Sequence, residues 1–226
     1  MSALELKPIA RIRNGYEDKF GIPRQPGLAA VRSVIVFEPE YRVREALRGI
    51  EGFSHLWLIW VFDRSQREDW SPTVRPPRLG GNARVGVFAS RSPFRPNPIG
   101  LSCVRLEGLR EGEGGLELVV TGADLMDGTP ILDIKPYLPY ADSHPEATGG
   151  FTDETPRQTL KVEIPADWRQ GLTDEEAQAL TDILSQDPRP AYQRDPERVY
   201  GFGFGGMQIR FSVAEGIARV TEIRRA

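Results

Sequence analysis

The chain has 226 residues, with 29 Lys plus Arg against 32 Asp plus Glu and a formal net charge of −3. That length supports a full hydrophobic core without disulfide or metal staples, and 39% hydrophobic with 27% charged residues excludes a disordered chain. The acidic balance excludes a uniformly basic coating protein for nucleic acid, but not a local basic patch.

One cysteine, Cys103, excludes an internal disulfide, and with only His55 and His144 beside it no Cys/His zinc cluster can be assembled. No metal is expected. Residues 1–13 lack the apolar stretch of a secretory signal. The longest apolar run, residues 56–62, is far short of the roughly 20 residues of a membrane span. The expectation is a cytoplasmic protein with a reduced thiol and no membrane partner.

The 23 glycines and 19 prolines exceed average usage and favour short strands joined by turns over a helical bundle. Residues 9–13 and 34–37 read as strands, and residues 41–48 as one or two helical turns closed by Gly49. The aromatic and branched run 56–62 reads as a strand buried on both faces. Residues 84–90 and 99–106 follow as strands. In the second, Ile99, Leu101 and Cys103 alternate with Gly100 and Ser102, which puts the larger three on the expected inner face. Residues 116–121 and 131–134 complete the set. Without long helices between them, these strands suit an antiparallel or mixed barrel over residues 1–145.

Residues 146–158, within a polar tract from 141, read as a linker. Residues 159–226 read as a small α+β unit. Leu160, Val162 and Ile164 alternate in a strand. Thr173 with Glu176 forms a capping box, Leu172 is placed to staple to Ala177, and Ala177, Leu180 and Leu184 share one helix face until Pro188. Residues 201–206 read as a flexible glycine-rich turn, followed by a hairpin of alternating residues 207–213 and 217–223. The fold class is therefore mainly β, a barrel with a small C-terminal α+β domain.

Three segments could carry chemistry. Residues 74–105 hold Arg75, Arg78, Arg84, Arg91, Arg95 and Arg105 and no acid. Guanidinium forks suit phosphate or carboxylate, so this segment fits an anionic ligand, most simply an RNA backbone, as well as a solvated loop. Three prolines, Pro93, Pro96 and Pro98, stiffen it, which lowers the entropy lost on binding. A second proline-pinned loop presents Pro23, Arg24 and Gln25, and a plain turn would read the same way. In the third, Asp127-Gly128 marks a tight turn, and Asp133 and Lys135 share one face of the following strand, as an ion pair or as site residues.

His55 reads as a structural residue at a strand start. Asp63 and Arg64 end the apolar run, where ligand contacts gather. No Gly-x-Ser-x-Gly elbow, P-loop or early Rossmann fingerprint is present.

Several collinear blocks resemble the TsaA-like family of tRNA methyltransferases over nearly the whole chain. They are Pro23-Arg24-Gln25-Pro26-Gly27-Leu28, Phe53-Ser54-His55-Leu56-Trp57, residues 73–84, Gly86-Val87-Phe88-Ala89, Arg91-Ser92, residues 94–100, residues 127–130 with 133–139, and Asp187-Pro188-Arg189-Pro190-Ala191-Tyr192. The resemblance implies a non-Rossmann β-barrel that binds S-adenosyl-L-methionine, a homodimer, and methylation of N6 of threonylcarbamoyladenosine beside the anticodon of tRNA. It further implies that Pro23, Arg24, Gln25, Asp63, Arg64, Arg91, Leu101, Asp124, Leu125, Met126, Asp127, Gly128 and Thr129 line the cofactor pocket.

On that footing Arg91 can meet the cofactor's carboxylate and Leu101 its adenine. Asp133, with Lys135 and Tyr137 nearby, is the candidate to take a proton. Arg75, Arg78, Arg84 and Arg95 are placed to hold the phosphates of an anticodon loop. A non-enzymatic cofactor- or RNA-binding module, or a methyltransferase for another substrate, would share these features.

Overall fold

The computed structural model describes residues 4–65, 69–80, 83–155, 159–190, 193 and 195–225. Residues 156–158 of the expected linker, and Gly81, Asn82, Ala191 and Tyr192 of the resemblance blocks, lie outside the described residues. In chain order the first strands are β1 (Ala10–Arg13), β2 (Arg32–Phe37), β3 (His55–Val61), β4 (Thr73–Val74), β5 (Val85–Gly86), β6 (Ile99–Gly112), β7 (Gly115–Thr121) and β8 (Pro130–Pro136). Six of them close into an antiparallel barrel in the order β1-β2-β7-β6-β3-β8, while β4 and β5 form a separate two-stranded ribbon. Ile12, Ile35, Leu56, Leu58, Val104, Leu118, Val120 and Ile131 fill the barrel.

Two expectations about this barrel are corrected. The run 56–62 is not buried on both faces. Leu56, Leu58 and Trp60 point inward, and the residues between them are only half-buried. On β6 the faces are exchanged. Gly100, Ser102, Val104 and Leu106 point inward, while Ile99 and Leu101 are 38% and 54% exposed. The register is set by Trp60: a Cβ at position 100 would lie 2.2 Å from its indole, so only glycine fits opposite it.

The expected strand 84–90 is likewise shorter. Only Val85–Gly86 pairs, and a single 3-10 turn, Val87–Ala89, follows. The partner strand is flanked by Pro72 and by Pro76-Pro77, which offer no backbone N–H to extend the ladder. Residues 41–48 make a 3-10 turn at Arg44–Leu47 that leads to Gly49 at φ 87°. The tract from 141 contains the one-turn helix Phe151–Glu154, and Pro139–Asp142 forms another.

The C-terminal sheet comprises β9 (Lys161–Glu163), β10 (Tyr200–Phe204), β11 (Met207–Ala214) and β12 (Ile217–Arg225), in the order β10-β11-β12-β9. The helix Asp174–Ser185 starts at a complete capping box. The Glu176 N–H donates to Thr173 Oγ1 at 3.1 Å, and the Thr173 N–H donates to Glu176 Oε2 at 2.8 Å. Its buried Ala177, Leu180, Ile183 and Leu184 pack with Phe202, Phe204, Ile209 and Phe211 in a second core.

The glycine-rich segment 201–206 is not a flexible turn. Its first part is β10, with Phe202 and Phe204 buried, and only Gly205 and Gly206 turn, at φ 59° and 74°. Gly203 lies against the Glu17 side chain, 2.7 Å from where a Cβ would stand.

Between β1 and β2 the chain leaves the barrel and crosses to the C-terminal sheet. Tyr16, Ala29 and Val31 belong to the second core, with Phe20 and Ile22 against it. Tyr16 bridges to Phe204 at the strand edge, ring to ring at 5.7 Å. This crossing segment carries Pro23, Arg24 and Gln25, so both halves of the chain hold that loop.

Candidate functional site

Arg91 and Gln25 meet at one end of the barrel, where Arg91 Nη1 donates to Gln25 Oε1 at 2.6 Å. The Gln25 loop is held at its base on the barrel side, where the Gly27 N–H donates to the Gly122 carbonyl at 2.8 Å. On the other side the Ala30 N–H donates to Asp182 Oδ2 at 2.9 Å, and Arg24 Nη2 donates to the Arg189 carbonyl at 3.3 Å. Arg189 is in turn gripped by both carboxylate oxygens of Asp187. Burial pulls the Arg24 guanidinium below its usual value; Asp187 opposes that shift and Arg78 adds to it. Pro23 is buried at the start of this loop.

Beneath Arg91 lies a relay that no sequence motif announced. Trp60 Nε1 donates to Ser102 Oγ at 2.9 Å, and Ser102 Oγ donates to Asp124 Oδ1 at 2.5 Å. Burial pushes the Asp124 carboxyl from 3.8 up to about 6, while the Ser102 hydrogen bond and the Arg91 charge act the other way. Among the described residues Arg91 makes no ion pair. Its guanidinium therefore remains available to an anion. The only hint of the relay in the sequence is the small, polar Ser102 set between the apolar residues Leu101 and Val104.

The turn at Asp127 gathers a second group of the candidate residues. The Asn14 N–H donates to Asp127 Oδ1 at 3.0 Å, and the Gly128 N–H donates to the Ile12 carbonyl at 2.8 Å. Arg64 Nη2 donates to the Asp127 carbonyl at 3.3 Å, so Arg64 and the Asp127 turn do come together. Gly128 stands at φ 78°, which a side chain would strain. Leu125 and Thr129 are buried, Met126 is half-buried, and Asp63 is exposed in the turn Asp63–Ser65. Arg64 and Asp127, with Asn14, Glu17, Gly205 and Gly206, line an open polar cleft of about 460 Å³ between the barrel and the C-terminal sheet, within the range of small-molecule sites.

Asp133, Lys135 and Tyr137 lie elsewhere, on the outer wall of the barrel. Leu101, Ile59 and Asp133 form one cross-strand row, and Cys103, Trp57 and Lys135 form the next. Asp133 and Lys135 pair with each other at 3.1 Å, both solvent-accessible. The Tyr137 ring lies tilted 5.8 Å from Trp57, whose Nε1 donates to Asp142 Oδ2 at 3.1 Å. Leu101 thus shares a face with the Asp133 group, on the opposite side of β6 from Ser102 and Asp124. His55 bonds its neighbour Ser54 at 2.9 Å.

Of the arginines, Arg75 and Arg84 flank the β4–β5 ribbon, and Arg78 sits in the turn that follows β4. Arg95 folds back onto the Ser90 and Val87 carbonyls and braces its own loop. Arg105 pairs with Glu107 at 3.3 Å. Among the described residues no group of three or more His, Cys, Asp or Glu side chains could hold a metal ion, and no helix is long and apolar enough to cross a membrane.

Known proteins match both halves of the chain. The family model for the tRNA-methyltransferase O N-terminal domain matches residues 11–143, and the TrmO C-terminal domain matches residues 157–226. The chain is 41% identical over 224 residues to the tRNA (adenine(37)-N6)-methyltransferase of Escherichia coli (strain K12), covering 95% of each. It is 45% identical over 215 residues to a putative S-adenosylmethionine-dependent methyltransferase of Pseudomonas aeruginosa, covering 91% of each. The crystal structure of TrmO from Pseudomonas aeruginosa superposes with a TM-score of 0.80 at 34% identity, over 99% of both chains.

Proposed function

Because the chain belongs to the tRNA-methyltransferase O family, we propose that it is an S-adenosyl-L-methionine-dependent enzyme that methylates N6 of adenine 37 in tRNA. The observation that carries this reading is the 41% identity to a tRNA (adenine(37)-N6)-methyltransferase over 95% of both chains. The substrate nucleoside is the threonylcarbamoylated adenosine of the anticodon loop, and the protein works as a cytoplasmic homodimer. Residues 1–145 form the cofactor-binding domain, and residues 159–226 the companion that holds the Gln25 loop in place.

The residues present fit the cofactor. Arg91, free of any carboxylate partner among the described residues, offers a fork to a carboxylate. The backbone of the Asp127 turn and the side chains of Gln25 and Arg64 supply polar contacts, and exposed Leu101 supplies apolar surface. Asp124, held by Ser102, would set a carboxylate against the cationic part of the bound ligand. When bound, the cofactor supplies an electrophilic methyl group. The protein's part is to hold donor and acceptor in line, which can supply about 7–11 kcal/mol of the barrier reduction. On transfer the sulfur–methyl bond would break as the N–C bond forms, leaving a neutral thioether, and the acceptor nitrogen would give up its proton. Asp133, paired with Lys135 at 3.1 Å on the outer wall that it shares with Leu101, is the candidate to receive it.

The test is to incubate purified protein with methyl-labelled S-adenosyl-L-methionine and tRNA from a strain lacking this gene, then digest and weigh the nucleosides. A gain of one methyl on threonylcarbamoyladenosine is expected. No transfer to any tRNA nucleoside would refute the assignment.

A further inference from the structure

The β4–β5 ribbon ends in an exposed aromatic pair. The ladder Thr73–Gly86 and Val74–Val85 is extended by a bond from the Val87 N–H to the Pro72 carbonyl at 2.9 Å. That extension brings Trp70 and Phe88 together, with ring centroids 6.3 Å apart and planes within 29°. Stacked rings are normally hidden, yet Trp70 is 51% and Phe88 74% exposed. The ribbon is anchored beside them by Val87, which is 1% exposed, so the pair is presented on a fixed support.

The surroundings select the occupant. From residue 70 to residue 106 the sequence has no acid. Arg75 and Arg84 follow and precede the last paired residues of the ribbon, so two like charges flank the same end of a two-stranded element, which is unfavourable unless an anion lies between them. Among the described residues Arg75, Arg78 and Arg84 make no ion pair, and Arg84 donates only to Thr73 Oγ1 at 3.0 Å. A protein surface on these rings would have to bring carboxylates for three unpaired guanidiniums. A nucleic-acid strand brings phosphates beside flat bases in its own repeat, and single-stranded loops are recognised by stacking bases on aromatic rings.

We infer that Trp70 and Phe88 form a base-stacking platform at one end of the ribbon, and that a nucleotide of the substrate RNA lies on it while phosphates further along the strand meet Arg75, Arg78 and Arg84 toward the other end. This rests on the tRNA reading and adds a contact to a nucleotide other than the one being methylated.

The test uses the full chain, an anticodon stem-loop RNA and fluorescence anisotropy over a series of salt concentrations. Phe88→Ala and Trp70→Ala are each expected to weaken binding about tenfold, with the salt dependence unchanged because no phosphate contact is lost. Phe88→Tyr keeps the ring and should restore affinity. Cofactor affinity by calorimetry and the melting temperature should stay at wild-type values, which separates the platform from a folding role. Wild-type RNA affinity in both alanine variants overturns the inference. So does a wild-type dimer that sediments as a monomer after Phe88→Ala, since the rings would then cover a second copy. Should the wild-type protein neither bind nor methylate tRNA, the functional reading itself fails, a result distinct from either of these.

Discussion

Gly100 and Trp60 face each other across the β3–β6 ladder, and the missing side chain of the first is the space occupied by the indole of the second. The same indole donates to Ser102, which donates to Asp124. Packing inside the barrel and polar order at its mouth are therefore joined through one side chain. Gly100→Ala puts a methyl 2.2 Å from the Trp60 ring. A loss of about 1–3 kcal/mol, the usual cost of overpacking, is expected in denaturant unfolding, together with weaker cofactor binding because the ring that holds Ser102 must move.

Among the described residues Arg91 hydrogen-bonds one side chain, the Gln25 amide oxygen, at 2.6 Å. Arg91→Ala is expected to weaken S-adenosyl-L-methionine binding by about 10- to 100-fold, the worth of one hydrogen bond to a charged group. Gln25→Ala should cost less, since it removes a neutral contact and leaves the charge of Arg91 in place. Isothermal calorimetry measures both, and an unchanged Kd for Arg91→Ala removes this residue from the carboxylate role.

Asp124 gives the stability of the protein a predictable pH dependence. Its carboxyl is pushed by burial from 3.8 to about 6 in the folded state. Between those values the folded protein holds a proton that the unfolded chain has released. This group therefore makes stability fall as pH rises from about 4 to 6, and the loss persists above 6. Asp124→Asn should flatten that part of the curve in thermal melts across pH 4–7. A cationic ligand beside the carboxylate favours its ionised form, so cofactor affinity should rise severalfold from pH 5 to pH 7 in the wild type and not in the variant.

The ribbon arginines act at longer range. Replacing Arg75 and Arg78 together by alanine removes two phosphate contacts, which should lower the slope of log K against log salt by about 1.4 if the bound RNA is single-stranded. Cofactor binding should be unaffected. An unchanged slope would move the RNA surface elsewhere.

Part of the site was readable in one dimension because its residues are close in sequence. Pro23 to Gln25 lie on one proline-pinned loop, Asp124 to Thr129 on one turn, and the arginines of 74–105 on one acid-free stretch. The capping box at Thr173 was readable for the same reason, since it is complete within four residues. What joins the loops was not. Tyr16 and Phe204, Arg24 and Arg189, and Ala30 and Asp182 are each more than 150 residues apart, and nothing local marks either partner of these pairs. Face assignment on β6 failed because alternation states only that two faces differ. Which face turns inward was settled by a bulky neighbour on another strand.

From its own composition and order the chain determined that it would be built mainly of strands, that glycine and proline would punctuate them, and that positive charge would gather between residues 74 and 105. These are short-range consequences of side-chain volume, backbone freedom and charge. Only the closed barrel and the crossing segment 14–31 decided that Arg91 meets Gln25, that Asp124 is held by Ser102 beside them, and that Asp133 stands on the outer wall. Such contacts depend on which strands become neighbours, and that is set by the packing of the whole core.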